Sequence, residues 1–323
     1  MKDLSIHGRS RIVTVLGGGG FIGRYVCEQL FKTGVRVRVA QRRPRDAYFL
    51  QPLAAVGQLD LTTADMRRPG TLERAIEGAW SVINLVGAFD GDLRTIHAQA
   101  PGKAAELAAR GGAASFVHVS AINADPGSAS LYASTKGGGE QLVRDAFSAA
   151  TIIRPSLVFG QEDQLTNRFA GLARLPFLPV IAPRTRFQPV YVRDVAAAIA
   201  QAAVDPQAHA GKTYEIGGPE VMTMHELNAA IARLAGQTPE LIDVPDFAAD
   251  ALSRLGFLPG MPLTRDQWTM LQKDNVADPA NPGLAAFGIN PTPLGAVAGE
   301  WLSRFQKGGR FPAQHTRSQS TAG

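Results

Sequence analysis

Residues 11–23 read RIVTVLGGGGFIG, and this stretch decides the fold. Its first six residues form a short β-branched apolar run that is typical of a buried strand. Four glycines follow, Gly23 comes three residues after them, and the apolar spacing then becomes helical. A strand that turns through glycines into a helix brings backbone N–H groups to a helix N-terminus, which attracts anions. The stretch therefore predicts a binding turn for the diphosphate of a dinucleotide.

The glycines have two tasks in this prediction. Positions without a side chain let a diphosphate approach the backbone, and Gly23 lets the helix pack closely on the strand. The alternative is a flexible glycine turn without a ligand, but the position between a strand and a helix favours binding. The candidate contacts at this turn are Gly17, Gly20, Phe21, Ile22, Gly23 and Arg24.

The second predicted strand, residues 35–40, leads into a basic loop. An NAD-binding fold usually has an acidic residue here, about 20 residues after the glycines, to bind the ribose hydroxyls. Residues 35–45 contain five arginines and no acidic residue, so no carboxylate is expected to face them. Because a guanidinium matches the oxygens of a 2′-phosphate, Arg42 and Arg43 predict NADP(H) rather than NAD(H). The alternative is a solvated basic loop.

Further strands are predicted at residues 58–63, 80–86 and 115–119, and helices at 69–78 and 93–110 separate them. Such alternation predicts an α/β fold with a Rossmann-type, doubly wound parallel sheet covered by helices on both faces. Residues that follow the strand ends are candidate nucleotide contacts. They are Asp65 and Met66, placed near the adenine, and Val86 and Gly87 after the fourth strand.

A second group of candidate residues follows the fifth strand. Tyr132 and Lys136 are four residues apart and share one face of a helix, and Ser120 ends the strand before them. An ammonium beside a tyrosine should lower its pKa, which would let the phenol act as a proton donor to a carbonyl. The lysine can instead hydrogen-bond a nicotinamide ribose. The sequence leaves both roles open, and Ser120 is equally well explained as a strand-end serine.

The composition narrows the class of protein. With 323 residues, 45% hydrophobic and 19% charged, the chain can bury a large core. One cysteine, no apolar signal core and no apolar run of about 18 residues lead us to expect a cytoplasmic chain, or one bound peripherally to a membrane from the cytoplasmic side. A net charge of +5 is too small to indicate nucleic-acid binding. The six scattered histidines lack ligand spacing, so no metal site is predicted.

Taken together, these motifs resemble the extended or atypical branch of the short-chain dehydrogenase/reductase superfamily. The resemblance rests on the glycine motif, Asn84–Gly87, Ser120, the Tyr132/Lys136 pair and the segment 154–160, which reads RPSLVFG. In that superfamily Pro155 would lie beside the nicotinamide. The superfamily also implies a smaller mixed C-terminal lobe and, as one alternative, a soluble NADPH-dependent reductase or epimerase.

Longer segments narrow the resemblance. Residues 117–125, 153–163, 167–170, 187–192 and 264–266 are similar to those of the NADPH-binding accessory subunits of respiratory complex I, the NADH:ubiquinone oxidoreductase, and their bacterial counterparts. This family implies NADPH held as a structural cofactor, without catalysis, at the junction of the peripheral and membrane arms. Implied partners are other complex I subunits near the quinone-binding junction, and the implied location is the cytoplasmic face of the bacterial inner membrane, or the matrix side in mitochondria.

The sequence pattern and the family resemblance also predict the domain organisation. We expect an N-terminal arm at residues 1–10, an NADP(H)-binding Rossmann domain at 11–160 and a smaller lobe at 161–307, of which 187–204 return to the Rossmann domain. Residues 308–323 are predicted to be a flexible basic tail, because residues 303–323 contain no acid and four basic residues. Contact of this tail with anionic lipid or with a partner is an alternative to a solvated tail.

Overall fold

The computed structural model describes residues 11–254 and 263–306 of the chain. The predicted arm at 1–10 and the tail at 308–323 lie outside these residues. In chain order the strands are β1 Ile12–Leu16, β2 Arg36–Gln41, β3 Leu59–Thr63, β4 Ser81–Asn84, β5 Ser115–Val119, β6 Thr151–Pro155, β7 Val158–Phe159, β8 Phe177–Val180, β9 Arg186–Phe187, β10 Val190–Tyr191, β11 Thr213–Ile216, β12 Met222–Thr223 and β13 Glu240–Asp243.

Helices connect most of these strands. The α-helices are α1 Phe21–Lys32, α2 Pro69–Ile76, α3 Ala100–Arg110, α4 Leu131–Ala146, α5 Gln164–Leu172, α6 Val192–Val204, α7 Pro206–His209, α8 Met224–Leu234, α9 Asp246–Arg254, α10 Arg265–Met270, α11 Leu294–Val297 and α12 Gly299–Leu302. Short 3-10 helices lie at Pro44–Leu53, Leu284–Phe287 and Ser303–Phe305, and a π-helical turn lies at Thr95–Gln99.

A parallel sheet of seven strands forms the centre, in the order β11-β6-β5-β4-β1-β2-β3. Consecutive strand residues point to opposite faces, so Ile83 joins the core with α1 and α6 while Val82 joins the core with α2, α3 and α4. Both faces are covered, which explains why the central strands β4 and β5 are buried along their whole length. The predicted α/β Rossmann-type fold is confirmed.

Much of the chain after Gly160 forms a smaller second lobe, whereas α6, β11 and the 3-10 helix Leu284–Phe287 pack with the main sheet. Its strands pair in small two-stranded sheets, of which β8–β13 is parallel and β9–β12 is antiparallel. A separate apolar cluster joins α5, α8 and α12 and includes Leu227, Ile231 and Trp301. The lobe is therefore mixed, as its sequence predicted, and it rests on its own core.

Two local predictions are wrong and a third is tested only in part. Four prolines among apolar residues predict an irregular segment at residues 161–189, yet these residues include α5, β8 and β9. The sequence also predicts a helix over 264–276, but α10 ends at Met270, and Asn275 pairs with Phe187 of β9 instead. A further helix is predicted over 249–260; it is α9, which is described as far as Arg254, and the remainder lies outside the described residues.

Candidate functional site

The glycine turn lies where β1 ends, at the point of the sheet where the strand order reverses between β1 and β4. In open α/β sheets this crevice is the usual ligand site. Gly17 has a φ of +82°, and its N–H donates to the Ala40 carbonyl at 2.9 Å. Helix α1 begins after Gly20, which has no side chain to cap it, so the first-turn N–H groups face the crevice.

Gly23 is fixed by close packing. A Cβ at this position would lie 2.5 Å from the Gly17 carbonyl oxygen and 2.6 Å from that of Gly18. These are backbone atoms and cannot rotate away, so the helix approaches the strand as closely as the sequence predicted. Phe21 and Ile22, which begin the helix between Gly20 and Gly23, place their backbone at the same turn.

Gln41 is a residue of this site that sequence reasoning missed. It ends β2, and its Oε1 accepts a hydrogen bond from the Gly19 N–H at 2.8 Å. Its Nε2 donates to the Arg43 carbonyl at 2.7 Å, so one side chain joins the glycine turn to the basic loop. Its position, where an NAD-binding fold has its acid, was the available signal.

The arginines separate into two groups in the structure. Arg42 and Arg43 are exposed at the end of β2, next to the glycine turn. Arg38 instead pairs with Asp60, with Nε to Oδ2 at 3.1 Å, and donates to the carbonyls of Ala75 and Glu77. The expectation that no carboxylate faces these arginines is therefore wrong for Arg38, because β3 brings Asp60 beside β2.

Arg24 is also paired. Its guanidinium contacts the Glu162 carboxylate and lies 4.3 Å from the centre of the Phe49 ring. Glu162 also accepts the hydroxyl of Tyr25, and this hydrogen bond and burial together raise the tyrosine pKa, burial more strongly. Arg24 thus links α1 to the loop that follows β7, in addition to its predicted place near the diphosphate.

The residues after β3 and β4 flank the crevice. Asp65 pairs with the guanidinium of Arg67, which lowers the pKa of this carboxyl, and Met66 is buried in the core beneath it. After β4, the Val86 N–H donates to the Asn84 side chain at 3.2 Å. A Cβ on Gly87 would lie 3.5 Å from Lys136 Nζ, so the backbone at Gly87 adjoins the Tyr132/Lys136 pair.

Lys136 and Tyr132 do not interact as the sequence predicted. Lys136 Nζ donates to the Val119 carbonyl at 3.2 Å and lies 6.0 Å from the centre of the Tyr132 ring. Burial lowers the pKa of Lys136 to about 8, and burial raises the pKa of Tyr132 to about 12. The expected lowering of the tyrosine pKa is wrong here, because burial outweighs a distant ammonium.

Two further rings contact Tyr132, and neither could be predicted from the spacing of Tyr132 and Lys136. Phe89 stacks on it, with ring centres 4.9 Å apart at an angle of 13°, and His97 meets it edge-on at 5.2 Å. His97 is fully buried, accepts from the Ala88 N–H at 3.0 Å and lies 3.0 Å from the Thr135 hydroxyl. Burial, with a smaller contribution from Lys136, lowers the pKa of His97 to about 3, so the ring is neutral.

Ser120 completes this end of the crevice and gives a test of whether a nucleotide fits. Its side chain is 4% exposed, and its Oγ has no hydrogen-bond partner among the described residues. Such a buried hydroxyl is normally satisfied, so a polar ligand group would complete it. Pro155 ends the neighbouring strand β6 and is buried. The unpartnered hydroxyl and the uncapped helix start both fit a dinucleotide.

Comparisons with known proteins agree with this geometry. The model of the NAD dependent epimerase/dehydratase family matches residues 13–217. The mouse protein "NADH dehydrogenase [ubiquinone] 1 alpha subcomplex subunit 9, mitochondrial" is 33% identical over 302 residues, which cover 91% of this chain and 80% of the relative. "Ceramide reductase" of Caulobacter vibrioides is 32% identical over 241 residues, 73% of this chain and 74% of the relative.

A solved structure shows the same fold. The NADPH-dependent quinone oxidoreductase of Escherichia coli, complexed with NADPH, superposes with a TM-score of 0.70 at 22% identity, over 89% of this chain and 99% of that one. The family match covers the whole crevice, while the mouse relative extends the similarity through the second lobe. The chain therefore belongs to the NAD dependent epimerase/dehydratase family and, within it, groups with the alpha subcomplex subunit 9 proteins of NADH dehydrogenase [ubiquinone].

Proposed function

We propose that this chain is an accessory subunit of respiratory complex I and holds NADPH as a structural cofactor. The observation that carries the proposal is the similarity to the mouse subunit over 91% of the chain, second lobe included. No helix among the described residues is long and apolar enough to cross a membrane. From the similarity to complex I subunits, we place the chain peripherally, on the cytoplasmic face of a bacterial inner membrane or on the matrix side in mitochondria, beside other complex I subunits near the quinone-binding junction.

The residues of the crevice suggest how the nucleotide would be held. The backbone at Gly17, Gly20, Phe21, Ile22 and Gly23 would bind the diphosphate. Arg42 and Arg43 would contact the 2′-phosphate, since both are exposed beside the glycine turn. The remaining proposed contacts are Arg24 for a phosphate, Asp65 and Met66 for the adenine end, and Val86, Gly87, Ser120, Tyr132, Lys136 and Pro155 for the nicotinamide end.

A structural role for NADPH is favoured by the surroundings of Tyr132. Proton donation to a carbonyl is easiest from a group whose pKa lies near neutrality, whereas burial raises the pKa of Tyr132 to about 12. Phe89 also covers one face of its ring. A nucleotide bound only to the folded chain would stabilise it by mass action, which is what a structural cofactor requires.

The second candidate function is an NADPH-dependent reductase or epimerase. It is favoured by the similarity to the Caulobacter ceramide reductase and by the presence of Ser120, Tyr132 and Lys136 in one crevice. In such an enzyme NADPH supplies a hydride, and Tyr132 would supply the proton. The test measures the rate at which bound NADPH is oxidised when a panel of carbonyl compounds, including ceramide precursors, is added. We expect no oxidation by the wild type and the same result for Tyr132→Phe. Steady turnover that Tyr132→Phe abolishes would favour the enzyme.

Membership in the complex is tested on native membranes. Membranes of the source cell are solubilised in a mild detergent, complex I is isolated by its NADH:ubiquinone oxidoreductase activity, and its subunits are identified by mass spectrometry. We expect this chain in stoichiometric amount, with NADPH released on denaturation. Its absence from the active particle would contradict the proposal, and NADH in place of NADPH would contradict only the cofactor assignment.

Contact with anionic lipid remains a separate part of the proposal. Three of the four basic residues that suggest it, Lys307, Arg310 and Arg317, lie outside the described residues. Co-sedimentation of the purified chain with vesicles of phosphatidylglycerol, compared with phosphatidylcholine, tests it directly. A chain that ends at residue 306 is the matched control, and it should lose any binding that depends on the tail.

A further inference from the structure

A segment of the second lobe contacts the chain beside the proposed nicotinamide end of the crevice. This segment is residues 264–278, which we call the strap. Its first helix, α10, is capped by its own residues, because the Thr264 and Gln267 side chains bond each other's backbone N–H groups. The carboxylate of Asp266 is therefore not needed to cap α10, although it lies in the first turn of that helix.

Asp266 instead caps the helix that carries Tyr132 and Lys136. Its Oδ1 accepts from the Leu131 N–H at 2.6 Å, and its Oδ2 accepts from the Tyr132 N–H at 3.1 Å. Leu131 is the first residue of α4, and the side chain of its own N-cap, Ser130, accepts from the Ala133 N–H. A carboxylate 135 residues away in the chain thus satisfies two of the N–H groups that begin this helix.

The other end of the strap is fastened to the strand ends beside this helix. The Ser156 hydroxyl, directly after Pro155, lies 2.8 Å from the Asn275 carbonyl and 2.7 Å from its side-chain oxygen. The Asn123 side chain, three residues after Ser120, donates to the Asp274 carbonyl at 2.8 Å. The strap therefore touches the chain next to Ser120, Tyr132 and Pro155, three residues proposed for the nicotinamide end.

The strap is also anchored to the body of the second lobe. The Thr185 hydroxyl donates to the Leu271 carbonyl at 2.6 Å, and the Asp274 carboxylate accepts from Arg186 through its backbone N–H and its guanidinium. Asp274 is held at a lowered pKa by these hydrogen bonds. The Asn275 backbone also bonds Arg186 and Gln188, at and after β9, so Asp274 and Asn275 contact both the second lobe and the chain beside the crevice, whereas Asp266 contacts α4.

We propose that the strap controls dissociation of the nicotinamide half of the nucleotide and that Asp266 is the positioning residue of the strap. The proposal rests on the proposed function, since it presupposes that the crevice holds NADPH. Asp266 fixes the start of α4 and through it Tyr132 and Lys136, so the nicotinamide half leaves only when this contact opens. The adenine half is assigned to residues 17–43 with Asp65 and Met66, none of which hydrogen-bonds the strap among the described residues.

The experiment measures release of NADPH from the purified full chain. Bound NADPH is chased with excess NADP, and the loss of its fluorescence gives the dissociation rate. Affinity for adenosine 2′,5′-bisphosphate, which has the 2′-phosphate but no nicotinamide, is measured alongside. For Asp266→Asn we expect about tenfold faster NADPH release, because a charged cap is weakened, with bisphosphate affinity within about twofold of the wild type.

Two further variants sharpen the result. Asn275→Ala removes one acceptor of the Ser156 hydroxyl at the other end of the strap and should also speed NADPH release, so the test stands even where Asp266→Asn fails to fold. Asp246→Asn is the matched control, since Asp246 is an exposed first-turn acid of α9 and should leave both ligands unchanged.

Three results would overturn the proposal. Unchanged NADPH release in both strap variants would show that the strap does not gate the nucleotide. Equal weakening of NADPH and the bisphosphate would show that Asp266 supports the fold in general. A wild-type chain that binds neither ligand would contradict the proposed function itself, and only in that case do both ideas fall together.

Discussion

The two ends of the crevice, to which we assign the adenine and nicotinamide halves of the proposed nucleotide, are built in different ways. Most of the adenine end comes from one continuous stretch, in which β1, the glycine turn, α1 and β2 place Gly23, Gln41 and Arg42 within 20 residues of one another. The nicotinamide end is assembled from Gly87, Ser120 and Lys136 on three separate connections, and Asp266 is added from the second lobe. One end is thus local in sequence and the other depends on the complete tertiary structure.

Because of this difference, we expect variants at the two ends to change different properties of the protein. The adenine end is exposed and electrostatic, so its variants should change which nucleotide binds and how tightly. The nicotinamide end is buried, and its pKa values are dominated by burial, so its variants should change stability and reactivity. The predictions below probe the two ends in turn, from the largest expected effect to the smallest.

Gly23→Ala should have the largest effect. The new Cβ would meet two backbone carbonyls at 2.5 and 2.6 Å, so α1 must move away from β1. We expect a loss of about 3 kcal/mol in the free energy of unfolding and no measurable nucleotide binding. Urea denaturation measures the first and calorimetry the second. Gly70→Ala is the matched control, because a Cβ there meets nothing within 4 Å and Ala favours a helix. A stable, binding-competent Gly23→Ala chain would contradict the close packing.

The double change Arg42→Ala with Arg43→Ala should separate the two nicotinamide nucleotides. Both side chains are exposed beside the glycine turn, where a 2′-phosphate would lie. We expect NADPH affinity to fall about 100-fold, with NADH affinity nearly unchanged, because only the former carries that phosphate. Arg36→Ala, on the exposed start of the same strand, is the control. Equal losses for NADPH and NADH would show that these arginines do not bind the 2′-phosphate.

His97→Gln should change how stability depends on pH. The folded pKa of about 3 lies below the unfolded value near 6.5, so the unfolded chain binds the extra proton as pH falls. The wild type should therefore lose stability from pH 6.5 downwards, by about 2 kcal/mol between pH 7 and pH 5 from this one residue.

Glutamine can still accept from the Ala88 N–H but does not titrate, so His97→Gln should lose about 2 kcal/mol less over the same interval. Urea unfolding at pH 7 and pH 5 measures both chains. His118 is also buried, and burial lowers its pKa. It should therefore still cause part of the loss of stability between pH 7 and pH 5 in both chains. An identical pH dependence in the two chains would mean that His97 is not held neutral by the fold.

Phe89→Ala should have the smallest effect on stability. Phe89 is 68% exposed, and its main contact is the stacked ring of Tyr132, so its loss should lower stability by about 1 kcal/mol. The uncovered Tyr132 should be nitrated faster by tetranitromethane, as measured by peptide mass spectrometry. Phe247→Ala, at a side chain 79% exposed, is the control. Unchanged nitration of Tyr132 would show that Phe89 does not cover it.

Features formed by residues that are close together in the chain could be predicted from the sequence. Glycines at 17, 20 and 23 and apolar runs of strand length predict the β1–α1 turn and the parallel sheet, because each follows from backbone geometry and periodicity. The capping box at Thr223 and Glu226 is another such case, since its two residues are three apart and bond each other's backbone.

Features that depend on distant contacts could not be predicted in the same way. Asp60 pairs with Arg38 because β3 lies beside β2, and Asp266 reaches α4 because residues 264–278 contact the chain just after β5 and β6. The pKa of Tyr132 depends on burial by the complete fold, including Phe89 and His97 around it. The spacing within a motif indicates which of its residues can contact each other. It does not indicate which residues from distant parts of the chain will bury them and so change their pKa values.

The last strand of the main sheet has a practical consequence for work with fragments. β11 pairs with β6 at the edge of the sheet, and Glu215 on it binds Arg154, which also pairs with Glu140. A fragment cut after residue 160 would lack this strand, expose the edge of β6 and leave Arg154 with one carboxylate fewer. Open strand edges promote aggregation, so a soluble nucleotide-binding fragment needs the chain at least through Ile216.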